Sequence, residues 1–186
     1  MIAIMLGALQ KIFLSDDGVR HAAPGGTAVF HRGDPVDRVF WVESGLVELV
    51  RFQENGDPLI LQSAGDGSLL AEASLYSDVY HCDAIVRQSA AVLSVSKITL
   101  RHRLEVDRTL AASWCAYLAK EVQHGRSRAE ILSRKTVSKR LDGWLTLTGR
   151  SLPPKGEWRS VADQIAVSPE ALYRELAKRR AAYDQN

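Results

Sequence analysis

The hydropathy pattern of this chain changes period once, near Lys97, and that change rules out most architectures. From Gly18 to Lys97, short runs of Val, Ile, Phe, Tyr and Trp alternate with turn signals. These are Pro24-Gly25-Gly26, Arg32-Gly33-Asp34-Pro35, Glu43-Ser44-Gly45, Glu54-Asn55-Gly56-Asp57-Pro58 and Gly65-Asp66-Gly67-Ser68. Turns spaced about 10 residues apart predict a β-sandwich or barrel. Val39, Trp41 and Glu43 are expected on one face of a strand, with Phe40 and Val42 on the other. Leu46 to Phe52 reads as a strand entering the Asn55-Gly56 hairpin turn, with Leu59, Ile60 and Leu61 on the return.

Beyond Lys97 the period becomes helical. Residues 107–133 hold no proline and one glycine, Gly125. Trp114, Leu118, Val122, Gly125, Ala129 and Leu132 recur at spacings of three and four, a heptad-like stripe on a long helix. Such a stripe either packs on the chain's own barrel or forms a dimer seam, and its length favours the seam through Trp114, Leu118, Val122 and Gly125. A second helix is expected over 136–148, burying Val137, Leu141, Trp144, Leu145 and Leu147. After a Gly- and Pro-rich loop come two short helices. The first spans 159–165, with Ser160 at its cap or just inside its first turn. The second opens with Ser168 at the N-cap, Pro169 at N1 and Glu170 at the positive dipole end. Ala162 is small where these two would cross, and Ile165, Val167 and Leu172 would share their core. This is a helix-turn-helix pattern.

Charge divides the chain at the same place. Residues 1–96 hold 6 Lys and Arg against 12 Asp and Glu, whereas residues 97–186 hold 18 against 10. The net charge of +2 hides this contrast, which suggests an acidic module joined to a basic one that meets a polyanion. Two cysteines, Cys82 and Cys115, make neither a disulfide framework nor a metal spacing. No apolar run approaches a membrane span, and the apolar start lacks a basic n-region, so a cytoplasmic protein is expected.

Taken in this order, the segments resemble the CRP/FNR-type bacterial transcription regulators over residues 18–180. The resemblance rests on Phe30-His31-Arg32-Gly33-Asp34-Pro35, Val39 to Val47, the Gly56 turn and Gly67 to Tyr76. In the C-terminal part it rests on Val137-Ser138-Lys139-Arg140-Leu141 and on Val161 to Arg174. It implies an α+β fold: an N-terminal double-stranded, jelly-roll-like β-roll, a long dimerisation helix and a C-terminal helix-turn-helix. The implied domains are a cyclic-nucleotide-binding-like sensor (1–98), a dimerisation helix and linker (99–135) and a truncated helix-turn-helix domain (136–186). The wing hairpin of the family is expected to be missing, because the given chain ends at Asn186.

The resemblance implies an effector pocket at Leu70, Ala71, Glu72, Ala73, Cys82 and Asp83. Glu72 matches the family's glutamate. Cys82 and Asp83 stand where cyclic-nucleotide binders place an arginine and a hydroxyl. An aspartate there would repel a cyclic phosphate, so control by cyclic AMP is not expected unless Arg87 or Arg126 supplies the charge. Neither an iron–sulfur centre, haem at His81 and Cys82, nor a metal at His31 is expected, so no cofactor is assigned. The same resemblance puts Glu170 and Arg174 on base edges, Ser168 and Tyr173 on phosphate or a base edge, and Lys178, Arg179 and Arg180 on phosphates. It implies a homodimer on a palindromic DNA operator, a small-molecule effector of unknown identity and RNA polymerase as a partner. The alternative is a sensory or interaction dimer that has lost DNA binding. An enzyme is not expected.

Overall fold

The computed structural model of the chain describes residues 2–149 and 151–183. Its order is α1 (Ile2–Phe13), β1 (Val19–Ala23), β2 (Ala28–Phe30), β3 (Arg38–Phe52), β4 (Pro58–Ala64), β5 (Ser68–Leu70), β6 (Asp83–Ser96), α2 (Lys97–Val106), α3 (Arg108–Ser133), α4 (Val137–Thr148), α5 (Trp158–Gln164) and α6 (Pro169–Tyr183). A 3₁₀ turn covers Glu72–Ser74 and another Lys155–Glu157. The chain forms two compact units, residues 1–120 and 121–186.

Two long strands organise the first unit. β3 and β6 pair antiparallel from Arg38 opposite Ser96 to Val50 opposite Asp83. β1 and β2 add to β6, while β4 and β5 add to β3, all antiparallel. The β3–β6 register shifts between Val42 and Val47. Gly45 makes this bulge possible: its φ is +97°, and a Cβ there would lie 2.5 Å from the Ser89 carbonyl oxygen. The Asn55-Gly56 turn closes the β3–β4 hairpin, as the sequence predicts.

Alternation along β3 splits its side chains between two cores, also as predicted. Phe40 and Val42 join Phe30, Val47, Leu49, Leu70, Tyr80, Cys82 and Ala84 inside the roll. Val39 and Trp41 face outward into a second cluster with Leu69, Leu93 and Val95. Helices complete that cluster: Leu9, Ile12 and Phe13 of α1, Leu100 of α2, and Leu110 and Trp114 of α3. Each such side chain, fully buried, contributes about 1.5–3 kcal/mol. Leu9, Ile12 and Phe13 thus make the end of α1 part of this core, a role the composition did not reveal.

Asp107 separates the two helices that follow the roll. It ends α2, and its carboxylate accepts hydrogen bonds from the Thr109 and Leu110 N–H groups, capping α3. The inward face of α3 then carries Leu110, Trp114, Tyr117 and Leu118 onto the roll. Trp114 is only 4% exposed within its own chain. This corrects the seam expectation for Trp114, and Leu118 is partly buried against the same cluster. The physical reason is that a three–four spacing marks a buried stripe without saying whose surface buries it. Val122 and Gly125 are exposed.

In the second unit, α4 is capped by Thr136 and ended by Gly149 in the left-handed region, with φ +59°. Leu141 and Trp144 are buried, whereas Leu147, expected inside, is exposed. Ile131, Leu141, Val161, Ala162, Ile165, Leu172 and Leu176 form the unit's core. The wing expectation concerns chain beyond Tyr183 and lies outside the described residues.

Candidate nucleic-acid interface and effector pocket

The turn between α5 and α6 is set by short-range bonds. The Val167 N–H donates to the Ala162 carbonyl (3.0 Å), and Ala166 takes φ +51°, a conformation that favours glycine. Ala162, Ile165 and Leu172 are each fully buried, and Val167 packs beside them, as the sequence predicts. Ser168 caps α6, its Oγ accepting from the Ala171 N–H (3.2 Å). Ser160 lies inside α5, where its Oγ accepts from Gln164 Nε2.

With Leu172 and Leu176 turned inward, α6 presents Glu170, Tyr173, Arg174 and Lys178 outward. Spacings of four put Glu170, Arg174 and Lys178 in one row. Neither Arg174 nor Lys178 takes part in an ion pair among the described residues. The Glu170 carboxyl is held below the usual carboxylate range, first by its own backbone N–H, then by the Ser168 hydroxyl, with Arg174 and Arg159 adding positive charge. It is therefore an ionised acceptor at neutral pH. Tyr173 is fixed by Trp158, whose ring lies 5.4 Å away and whose indole N–H donates to the Pro153 carbonyl. Arg159, on the exposed side of α5 near Glu170, is a cation the sequence reading passed over.

Arg179 departs from expectation. It pairs with Asp142 (2.7 Å) and Glu175 (2.8 Å), and donates to the Ser138 carbonyl and hydroxyl. It therefore straps α6 to α4 instead of facing phosphate. Its neighbours Lys178 and Arg180 remain exposed. A run of three cations gave no sign that the middle one would turn inward.

The expected effector residues divide. Leu70, Ala71 and Cys82 are buried together inside the roll, and Glu72 is buried near Cys82. Ala73 is exposed instead of joining them, because the 3₁₀ turn at 72–74 rotates it outward. Asp83 is committed elsewhere: its Oδ1 lies 3.0 Å from His31 Nδ1 and accepts from the Arg32 N–H. The roll interior is filled by side chains, with Phe30 stacked on Tyr80 at 3.9 Å and on Phe40 at 5.7 Å. Burial pushes the Cys82 thiol up to about 11, against the pull of Arg51, with Asp83 and Glu72 adding to the rise. It is a protonated, inert thiol at neutral pH.

Of the cations offered as substitutes for the absent arginine, Arg87 is bound to the buried Glu48 at 2.5 Å. Arg126 is exposed on α3. Arg51 is the cation whose charge reaches Cys82, and it donates to the His81 carbonyl. It went unnoticed because it lies on β3, 31 positions from Cys82 along the chain. His81 lies in a bend before β6, not in a strand, and is exposed while Cys82 is buried. Among the described residues, no group of three or more His, Cys, Asp or Glu is placed to hold a metal. None of the described helices is long and apolar enough to cross a membrane.

Residues 20–107 match the family model of the cyclic nucleotide-binding domain. Among curated proteins, no sequence matches the chain. FixK2 from Bradyrhizobium japonicum superposes with a TM-score of 0.77 at 19% identity, covering 89% of this chain and 85% of that one. CLP, a c-di-GMP-responsive global regulator from Xanthomonas campestris, gives 0.75 at 21%, covering 95% and 92%. A CRP-family transcriptional regulator from Thermus thermophilus gives 0.70 at 18%, covering 87% and 85%. Residues 20–107 thus resemble the cyclic nucleotide-binding domain, and the chain has the fold of these solved CRP/FNR-type regulators.

Proposed function

We propose that the protein is an effector-responsive transcription regulator that binds double-stranded DNA as a homodimer. The observation that carries this reading is the exposed row Glu170, Arg174 and Lys178 on α6, above a fully buried helix-turn-helix core. A carboxylate held ionised can accept from cytosine N4, and an arginine without an ion-pair partner among the described residues can grip guanine O6 and N7. Ser168 and Tyr173 then contact phosphate or a base edge, and Lys178 contacts phosphate. The test is a titration of a selected duplex with single variants. Arg174→Ala should cost about 1–3 kcal/mol and relax specificity at one guanine. Lys178→Ala should weaken all sequences alike and lower the salt slope by about 1. If Arg174→Ala leaves binding unchanged, base reading by α6 is wrong, and the reading as a sensory dimer without DNA binding takes its place.

The sensor is proposed to respond to something other than cyclic AMP. Support comes from the packed roll interior, the neutral Cys82 and the anionic Asp83 where a cyclic phosphate needs a cation and a hydroxyl. Losing a charge-assisted pair to a phosphate removes several kcal/mol, so no cyclic AMP binding is expected below about 100 μM. Calorimetry checks this. A micromolar constant lost in Arg51→Ala would show that Arg51 has taken over the role. Effector binding is expected to act by favouring one of two arrangements of the recognition helices.

A further inference from the structure

We propose that Arg140 is a positioning residue that fixes the helix-turn-helix turn, and with it the DNA-reading face of α6; this rests on the DNA-binding reading above. Arg140 is partly buried near the start of α4. Its Nη1 donates to the carbonyls of Ile165 (3.2 Å) and Ala166 (2.8 Å), at the end of α5. Its Nε donates to the carbonyl of Arg134 (2.8 Å), in the segment leaving α3. One guanidinium thus joins the turn of the reading motif to the foot of the long helix.

Chemistry explains why an arginine serves here. The carbonyls that end a helix have no partner within it, and they favour a cation. The turn is also unfavourable on its own, since Ala166 is held at φ +51° without a glycine. An arginine fork can satisfy acceptors on two sides at once, which the single ammonium of lysine does not do from a fixed position.

The far end of the strap is itself fixed. A Cβ on Gly143 would lie 3.0 Å from Ile131 Cγ1, so α4 crosses the last turn of α3 closely, and 3.3 Å from the Arg134 guanidinium just beyond it. The Arg134 N–H donates to the Ile131 carbonyl (3.1 Å), which ties this residue's backbone to the last turn of α3. Arg179 adds a second strap, from α6 to Ser138 and Asp142 of α4. Between them the two arginines make the end of α3, α4 and the reading helix one body. Movement of the foot of α3 is then passed to α6 instead of being lost in the turn.

The experiment uses the full chain and compares wild type with Arg140→Met and Arg140→Lys. Hydrogen exchange reads the turn without DNA. Exchange at the Ala166 and Val167 amides should rise about tenfold in both variants, with the α4 amides of Trp144 and Leu145 unchanged. Titration then reads the consequence. Affinity for a selected duplex should fall about tenfold, affinity for random duplex by less than about threefold, and the salt slope should stay the same. Several outcomes overturn the proposal. Equal losses on both duplexes with a salt slope lower by about 1 would make Arg140 a phosphate contact. Faster exchange throughout α4 would make it a folding residue. Unchanged exchange at the turn, or full specificity in Arg140→Lys, would remove the positioning role. A wild type that prefers no sequence would sink the DNA-binding reading, and the exchange result alone would then decide whether Arg140 holds the turn.

Discussion

Leu172→Ala is expected to melt the C-terminal unit and leave the β-roll folded. Leu172 is fully buried at the centre of the helix-turn-helix core, against Ala162, Ile165 and Leu141. Removing a buried leucine side chain costs about 2–5 kcal/mol, through lost transfer energy and the cavity left behind. A single core of fewer than ~70–80 residues rarely supplies more than about 3–5 kcal/mol, so this loss is comparable to the unit's whole stability. The roll has its own two clusters and contains none of these residues. Calorimetry should therefore show the lower transition shifted or gone, the roll transition kept, and DNA binding abolished. A single transition that shifts as a whole would mean that the two units unfold together.

Val122→Glu is expected to convert the proposed dimer to monomer without destabilising the subunit. Val122 is 52% exposed on α3, so a carboxylate there meets water in the isolated chain. In a parallel helix pair the same position would face its own copy. Two carboxylates would then be brought together in an apolar seam, where a buried unpaired charge costs several kcal/mol. Loss of the dimer also removes the linkage between two half-site contacts, worth about 10²–10⁴ in apparent affinity. Sedimentation should give the monomer mass, with the secondary structure of the folded chain kept, and the variant should lose the palindrome. A variant that still sediments as a dimer would place the seam elsewhere. Trp114→Ala separates the two faces of α3. Because Trp114 packs on its own roll, that change should lower stability before it changes oligomeric state.

The sequence disclosed the order of elements better than the partners of individual side chains. Local signals did most of this work. The Asn55-Gly56 hairpin, the split of Val39 and Trp41 from Phe40 and Val42, the Ser168 cap and the Ala162–Ile165–Leu172 core each follow from residues close in the chain. What stayed hidden depends on contacts between distant segments. Trp114 reads equally well as seam or core, because helical spacing is the same for both. Asp83 sits where the pocket was expected, yet it turns to His31 and Arg32 at a separation of about 50 residues, which no local pattern reports. Arg179, Arg140 and Arg51 look like any surface cation in the sequence. Their acceptors, Asp142, the Ala166 carbonyl and the His81 carbonyl, become visible only once the chain has folded. The helix at the N-terminus escaped notice for a related reason. Its buried residues Leu9, Ile12 and Phe13 show their purpose only against Trp41, which lies 6.0 Å from Phe13.

The most direct test of the account is selection from random duplexes with the wild-type protein, followed by titration of the enriched site across a salt series. Two recognition helices related by a two-fold axis require a palindrome whose half-sites lie about one helical turn apart. Each half-site should contain a G·C step that Arg174→Ala no longer distinguishes. Enrichment of such a palindrome, bound by two chains, is the result predicted. Selection that enriches nothing, or that enriches a site to which Arg174→Ala binds as well as wild type, would contradict it.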